Sequence, residues 1–194
     1  MMIELNQLSA SFLIQSCIFL NNYAESKIID IHDSDATLRN LSFFRNEGKV
    51  LLLSEKSLLI LLFSRFMDAV SNDFLIEMNQ HCILRIENNS YKDIKTKFSV
   101  LSVDDSVLDM TENFFFNITS LKNTVLMICY NAVIEVGKIK VAAFMQNLLY
   151  LNNCTLILVD SYFVNKNNLK MQGYQFGSIL IENSFDILIK NNIF

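Results

Sequence analysis

Among the 20 acidic residues two groups of Asp stand out, Asp30, Asp33 and Asp35, then Asp104, Asp105 and Asp109. Several carboxylates converging on one point are what a calcium ion asks for. The chain has two histidines, His32 and His81. His32 beside Asp33 either orients an acid–base pair or closes a hydrogen bond at a corner, and the corner bond is the simpler expectation. Neither histidine shows the carboxylate or cysteine partner that a zinc site or a nucleophile–base pair needs. Cys17, Cys82, Cys129 and Cys154 lack any C-x-x-C spacing and are expected to be buried small hydrophobes, with no disulfide. No G-x-x-x-x-G-K-[ST] and no G-x-G-x-x-G occurs, so neither nucleotide cradle is present. From these residues no cofactor and no metal is expected.

The elements that position these groups must come from a chain rich in apolar side chains. Over 194 residues, 52% are apolar and 19% charged, which excludes disorder and fits one domain. The net charge is −4 and the 16 Lys and Arg form no dense cluster, which argues against nucleic acid as a partner. Residues 11–20 are apolar but too short to cross a bilayer, and Glu4, with no basic residue, precedes them. Residues 50–63 are interrupted by Glu55 and Lys56 and read as two buried strands, so no transmembrane helix is expected. Sequons at Asn40, Asn88, Asn117 and Asn153 are close to the number chance provides for 22 Asn, and do not establish secretion. Proline is absent where average usage predicts roughly ten. Codon bias accounts for most of that, and hydrogen-bonded ladders that cannot spare an N–H fit it as well.

The chain repeats itself. Residues 154–168 (CTLILVDSYFVNKNN) and 177–192 (GSILIENSFDILIKNN) share an aliphatic strand, a polar corner, an aromatic, a second strand and an Asn pair. Carried backward, the template places apolar anchors at Ile14, Leu38, Leu61, Ile86, Met110, Ile134, Leu158 and Ile181, at spacings of 23 to 25 residues. A large apolar residue is expected after each corner: Ile18, Phe43, Phe66, Tyr91, Phe114, Ile139, Tyr162 and Phe185. Short alternating segments rich in β-branched and aromatic residues favour strands, and no helical stripe stands out. Three strands and three corners fill about 24 residues, one rung of a three-sided parallel coil. Rungs stack about 4.8 Å apart, so eight would make a rod on the order of 38 Å long. Corner Asn residues tolerate left-handed backbone and hydrogen-bond to the next rung. The leucine-rich repeat shares this period, but its L-x-x-L-x-L-x-x-N signature does not recur in register.

The corners IENSFDILIKNNIF (181–194), LVDSYFVNKNN (158–168) and IENNSYKDI (86–94) resemble right-handed parallel β-helix proteins of the pectin-lyase-like superfold. They are closest to the Asn-rich repeats of large surface proteins in low-GC protists. The resemblance implies an all-β, right-handed, single-stranded parallel β-helix of about eight rungs over 11–194, with 1–10 as a lead-in. It also implies a place in a longer surface chain, since a strand begins near Phe194 and no capping helix follows Met1. A cell-surface or extracellular location is expected on the resemblance alone, as is end-to-end association through open ends.

Lyases of the superfold hold calcium with clustered Asp and use an Arg base. The resemblance therefore points to Asp104, Asp105 and Arg85 as the alternative catalytic set. Asp33 and Asp105 should lie three rungs, about 14 Å, apart, too far to share an ion. The hydrolases' N-x-D, D-D, G-H-G and R-I-K order is missing, and Arg85-Ile86-Glu87 has Glu where the cation belongs. The leading expectation is a non-catalytic structural and interaction module whose partner is a glycan or a protein surface. A degenerate polysaccharide lyase or hydrolase is the alternative.

Overall fold

The computed structural model describes residues 3–6, 11–121, 124–144, 147–165 and 179–193. The described residues contain strands and no helix, and the pairings between these strands are all parallel. The pairs join residues one repeat apart, so the chain is a parallel β-solenoid. The Asn167-Asn168 pair and positions 177–178 of the repeat template lie outside the described residues.

One side of the coil is an eight-stranded sheet. Its strands are Phe12–Gln15, Asp35–Arg39, Leu58–Leu62, Ile83–Glu87, Val107–Thr111, Val133–Gly137, Thr155–Val159 and Ile187–Lys190. Alternation sorts each strand into inward and outward residues. In Leu58–Leu62, for example, Leu59 and Leu61 are fully buried while their neighbours are half-exposed. The inward register runs Ile14, Leu38, Leu61, Ile86 and Met110, as the repeat anchors predict.

Two anchors need correction. Met110 is opposite Val136, and Ile134 is opposite Leu108, one inward position earlier on the same strand. A slip of two residues keeps a side chain on the same face, so the pattern alone did not expose it. Leu158 is opposite Ile189, a step of 31 residues, and Ile181 pairs with Leu151 in the other sheet. The last repeat is longer than the others, which moved the expected anchor to a different side.

The other sides form one sixteen-stranded sheet, since strands such as Glu47–Ser54 continue around a corner. Within it runs a column of rings: Phe19, Phe43, Phe66, Tyr91 and Phe115, with centroids 4.5 to 4.7 Å apart and planes within 10°. The interstrand spacing itself enforces this face-to-face stacking, because identical positions on adjacent rungs sit one strand apart. Val141 and Phe163 continue the column. The expected Phe43, Phe66 and Tyr91 are members. Ile18, Phe114 and Tyr162 sit one residue before the inward position and are exposed, as is Phe185. Ile139 is buried but at the corner, two residues before Val141.

The corners are built from left-handed residues. Along one edge Ser16, Asn40, Phe63, Asn88, Glu112, Lys138, Asp160 and Asn191 have φ between 51° and 56°. Each N–H through Asp160 donates to the carbonyl before the equivalent corner of the next rung, such as Asn88 to Thr111 at 3.2 Å and Glu112 to Gly137 at 3.1 Å. Of the 23 non-glycine residues at positive φ among the described residues, most are Asn or Asp, whose side chains tolerate the conformation. This accounts for corners rich in Asn in a chain with only 4 Gly.

At many corners the residue after the left-handed position turns inward, and where it is small and polar it caps the rung before. Asn89 Oδ1 accepts from Ser64 N–H at 2.6 Å while its Nδ2 donates to Leu61 O at 2.9 Å. Asn113 repeats this with Asn89 N–H and Ile86 O. Ser64, Ser57, Ser106 and Ser161 accept from the N–H groups of Leu41, Ser34, Cys82 and Ile139. Buried backbone donors that no strand can satisfy are thereby paired.

Candidate functional site

The rungs depart from their regular form near Tyr23–His32. Tyr23 is in register with Glu47 and Lys27 with Lys49, so four residues on one rung match two on the next. Gly48, inside the shorter segment, has φ 105°, which a side chain would oppose. The misfit opens a cleft of about 540 Å³ bounded by Tyr23, Lys27, Lys49, Asp73, Lys97 and Phe98.

Lys49 is the centre of its charge. Its side chain is 13% exposed, and Nζ pairs with Asp73 Oδ2 at 3.2 Å and with Glu77 Oε2. A largely covered ammonium needs such partners to remain charged. Lys27 Nζ pairs with Asp30 Oδ2 at 2.5 Å, and Asp30 Oδ1 is buried with no hydrogen-bond partner among the described residues. Lys97 is exposed, its Nζ 5.3 Å from the Phe98 ring centroid, and it forms no ion pair among the described residues. Tyr23, 70% exposed, offers an aromatic ring at the mouth. The set can hold polar and anionic groups against a ring. The cleft lining includes no His, Cys or Ser, so no nucleophile–base pair is assembled there.

The alternative catalytic residues lie apart from this cleft. Arg85 is on the outer face of the eight-stranded sheet, with Nε 3.0 Å from Asp109 Oδ2. Asp105 occupies a left-handed corner at φ 46°, its Oδ2 3.2 Å from His81 Nδ1. Asp104 is exposed at the end of Leu101–Asp104. No hydrogen bond or ion pair joins Arg85 to Asp104 or Asp105 among the described residues. Asp30, Asp33 and Asp35 are likewise divided between a buried ion pair, a corner and the outer sheet face. Among the described residues no three His, Cys, Asp or Glu gather as metal ligands would.

Two expectations are overturned. Each histidine has a carboxylate partner: His32 Nε2 is 3.2 Å from Glu55 Oε2, and His81 meets Asp105. The partners stand one rung away, 23 and 24 residues along the chain, so the repeat itself would have found them. His32 Nδ1 also lies 3.0 Å from Ser54 Oγ, a bond to the neighbouring rung and not to Asp33. Cys17 is exposed, whereas Cys82, Cys129 and Cys154 are buried, and all four are free thiols. Cys17, Cys82 and Cys154 follow left-handed corners, the place other rungs give to Ser, and their Sγ groups face carbonyls of their own corners. Burial pushes the Cys129 thiol well above its ordinary range, with Cys154 adding to the effect. Burial also raises Cys82 and Cys154 against backbone hydrogen bonds that oppose it.

No catalytic pattern marks the cleft in the sequence. Gly48 between Glu47 and Lys49, in a chain nearly free of Gly, was the available signal. No helix of the described residues is long and apolar enough to cross a membrane. Comparison with protein-family profiles, curated proteins and solved structures finds no match.

Proposed function

We propose that this chain is a non-catalytic interaction module, a β-solenoid rod within a large surface or adhesion-type protein, that contacts a glycan or a protein. The finer assignment, a right-handed pectin-lyase-like coil of about eight rungs at the cell surface, rests on the corner motifs and belongs to the same proposal. The observation that carries it is the Lys49 cleft. The break in register between Tyr23 and Lys27 brings three ammonium groups, two of them held by carboxylates, beside two aromatic rings. That is equipment for recognition, with orientation fixed by partly buried ion pairs and contact offered by the exposed Tyr23 ring and the half-buried Phe98 ring.

The lyase reading asks Arg85 to act with Asp104 and Asp105, but Arg85 is engaged by Asp109 on another side. Screening the rod on arrays of neutral and uronate glycans, with immobilised-protein capture in parallel, tests the proposal. Binding should fall at least about tenfold in Lys49→Ala and Tyr23→Ala. Cleavage of uronate polymers, lost in Arg85→Ala, would overturn it.

A further inference from the structure

We propose that the Lys49 cleft takes a neutral sugar, whose chain continues along the adjoining sheet face to a second platform at Tyr130 and Tyr150. This rests on the recognition reading of that cleft. Charge argues against an acidic ligand. Lys27, Lys49 and Lys97 are answered by Glu47 and Asp73 in the lining, and by Asp30 and Glu77, which hold Lys27 and Lys49. Three cations against four carboxylates leave no positive excess for a uronate or a sulfate. An anion on Lys49 would also have to displace the carboxylates that keep a covered ammonium charged. A hydroxyl meets no such conflict, because it donates to one group and accepts from another. Asp73, its side chain 46% exposed, keeps Oδ2 3.2 Å from Lys49 Nζ, so acceptor and donor stand side by side. Exposed Asn72 adds an amide that does both. Tyr23, 70% exposed, gives the apolar face of a sugar ring a surface to cover.

Register favours a polymer. Glu77 stands in an outward row that continues through Ser102 and Ile128 to Tyr150 on successive strands. Three strand spacings, about 14 Å, separate Glu77 from Tyr150. Tyr150 is held in place: its hydroxyl donates to Glu182 Oε2 at 2.8 Å and accepts from Asn152 Nδ2 at 3.3 Å. Its ring meets that of Tyr130 edge to face, centroids 5.7 Å apart, and Tyr130 is 41% exposed. A ring fixed before the ligand arrives loses little freedom on binding. Asp104 and Asn152 flank Tyr130 in the next row. The strands Leu101–Asp104, Thr124–Tyr130, Asn147–Asn152 and Ile179–Glu182 contain no Lys or Arg. This face therefore repels a polyanion and, like the cleft, sets rings beside amides and carboxylates. Two platforms of one composition on one face suit a chain that repeats one unit, as a neutral polysaccharide does and a folded protein surface does not.

Calorimetric titration of the full chain with neutral gluco- and manno-oligosaccharides tests this, with oligogalacturonates as the acidic counterpart. In at least one neutral series the hexasaccharide should bind at least about tenfold more tightly than the disaccharide. Its affinity should change by less than about twofold between about 0.05 and about 0.5 M salt. Tyr23→Ala weakens both lengths. Tyr150→Ala, and Tyr130→Ala as a second variant at an exposed position, remove the gain with length and leave the disaccharide within about twofold. Circular dichroism checks that each variant is folded. Neutral-sugar binding that Lys49→Ala abolishes, but that neither Tyr130→Ala nor Tyr150→Ala alters, would overturn the second platform and leave the recognition reading standing. A preference for oligogalacturonate that fades with salt would overturn the neutral ligand, as would Lys49-dependent capture of a protein with no sugar bound; both leave that reading standing. No binding by any probe, or binding indifferent to Lys49→Ala, would bring down the reading and this inference together.

Discussion

Replacing Tyr91 with Phe should stabilise the coil. Tyr91 is fully buried in the ring column, with centroids 4.7 Å from Phe66 and 4.5 Å from Phe115. Its hydroxyl is buried without a hydrogen-bond partner among the described residues. An unpaired buried donor costs roughly 1–3 kcal/mol, while Phe keeps the ring and both stacking contacts. We expect Tyr91→Phe to gain about 1–2 kcal/mol, or about 2 to 8 °C in Tm for a chain of this size.

A pH signature separates this cause from generic repacking. Burial drives the Tyr91 phenol far above the ordinary tyrosine range, so the folded state keeps its proton while the unfolded state loses it near pH 10. The contribution is intact below pH 10 and is lost as pH rises beyond it, at up to about 1.4 kcal/mol per unit. The variant lacks this loss. The difference in urea midpoint, followed by far-ultraviolet circular dichroism, should therefore be flat to about pH 9 and widen above about pH 10. A destabilised Tyr91→Phe, or a difference that stays constant through high pH, would refute the reasoning and show that the hydroxyl has a partner or reaches solvent.

Further outcomes follow from the corners and thiols. Asn89→Ala should cost about 2 kcal/mol or more in chemical denaturation, because Ser64 N–H and Leu61 O both lose their buried partner; Asn89→Asp, keeping only the acceptor, should fall between. Phe63→Asn should gain about 0.5–1 kcal/mol, since Phe63 is exposed at φ 51° and Asn accepts that backbone, less the Arg39 contact with its ring. A native thiol titration near pH 8 should count Cys17 alone, and all four cysteines after denaturation, given the burial and raised pKa of the other three.

The period was legible because side chains one rung apart face the same environment. Leu38, Leu61, Ile86 and Met110 all had to be apolar, and each stood where the spacing put it. Phase within a strand was harder. Phe114 and Phe115 are both large and apolar, and only alternation against the neighbouring rungs tells that Phe115 points inward. The last rung was misplaced because its length differs, and a template with fixed spacing cannot register that. The histidine partners were within reach of the same arithmetic that found the fold. The cleft was not, since it arises from a mismatch between two rungs, a relation that no single motif contains.

The inward polar residues at the corners tie loops of chain to their neighbours, using the same kind of bond at several levels. Growth or shrinkage of such a chain is therefore quantised. Duplicating or deleting one whole period hands every cap an equivalent neighbour, while a change of a few residues strands a buried donor unless it is absorbed in a single outward bulge. The Tyr23–Lys27 excursion is a change of that absorbed kind. Length variation among descendants of this sequence should come in steps of about two dozen codons, with the remainder gathered at a few tolerant bends.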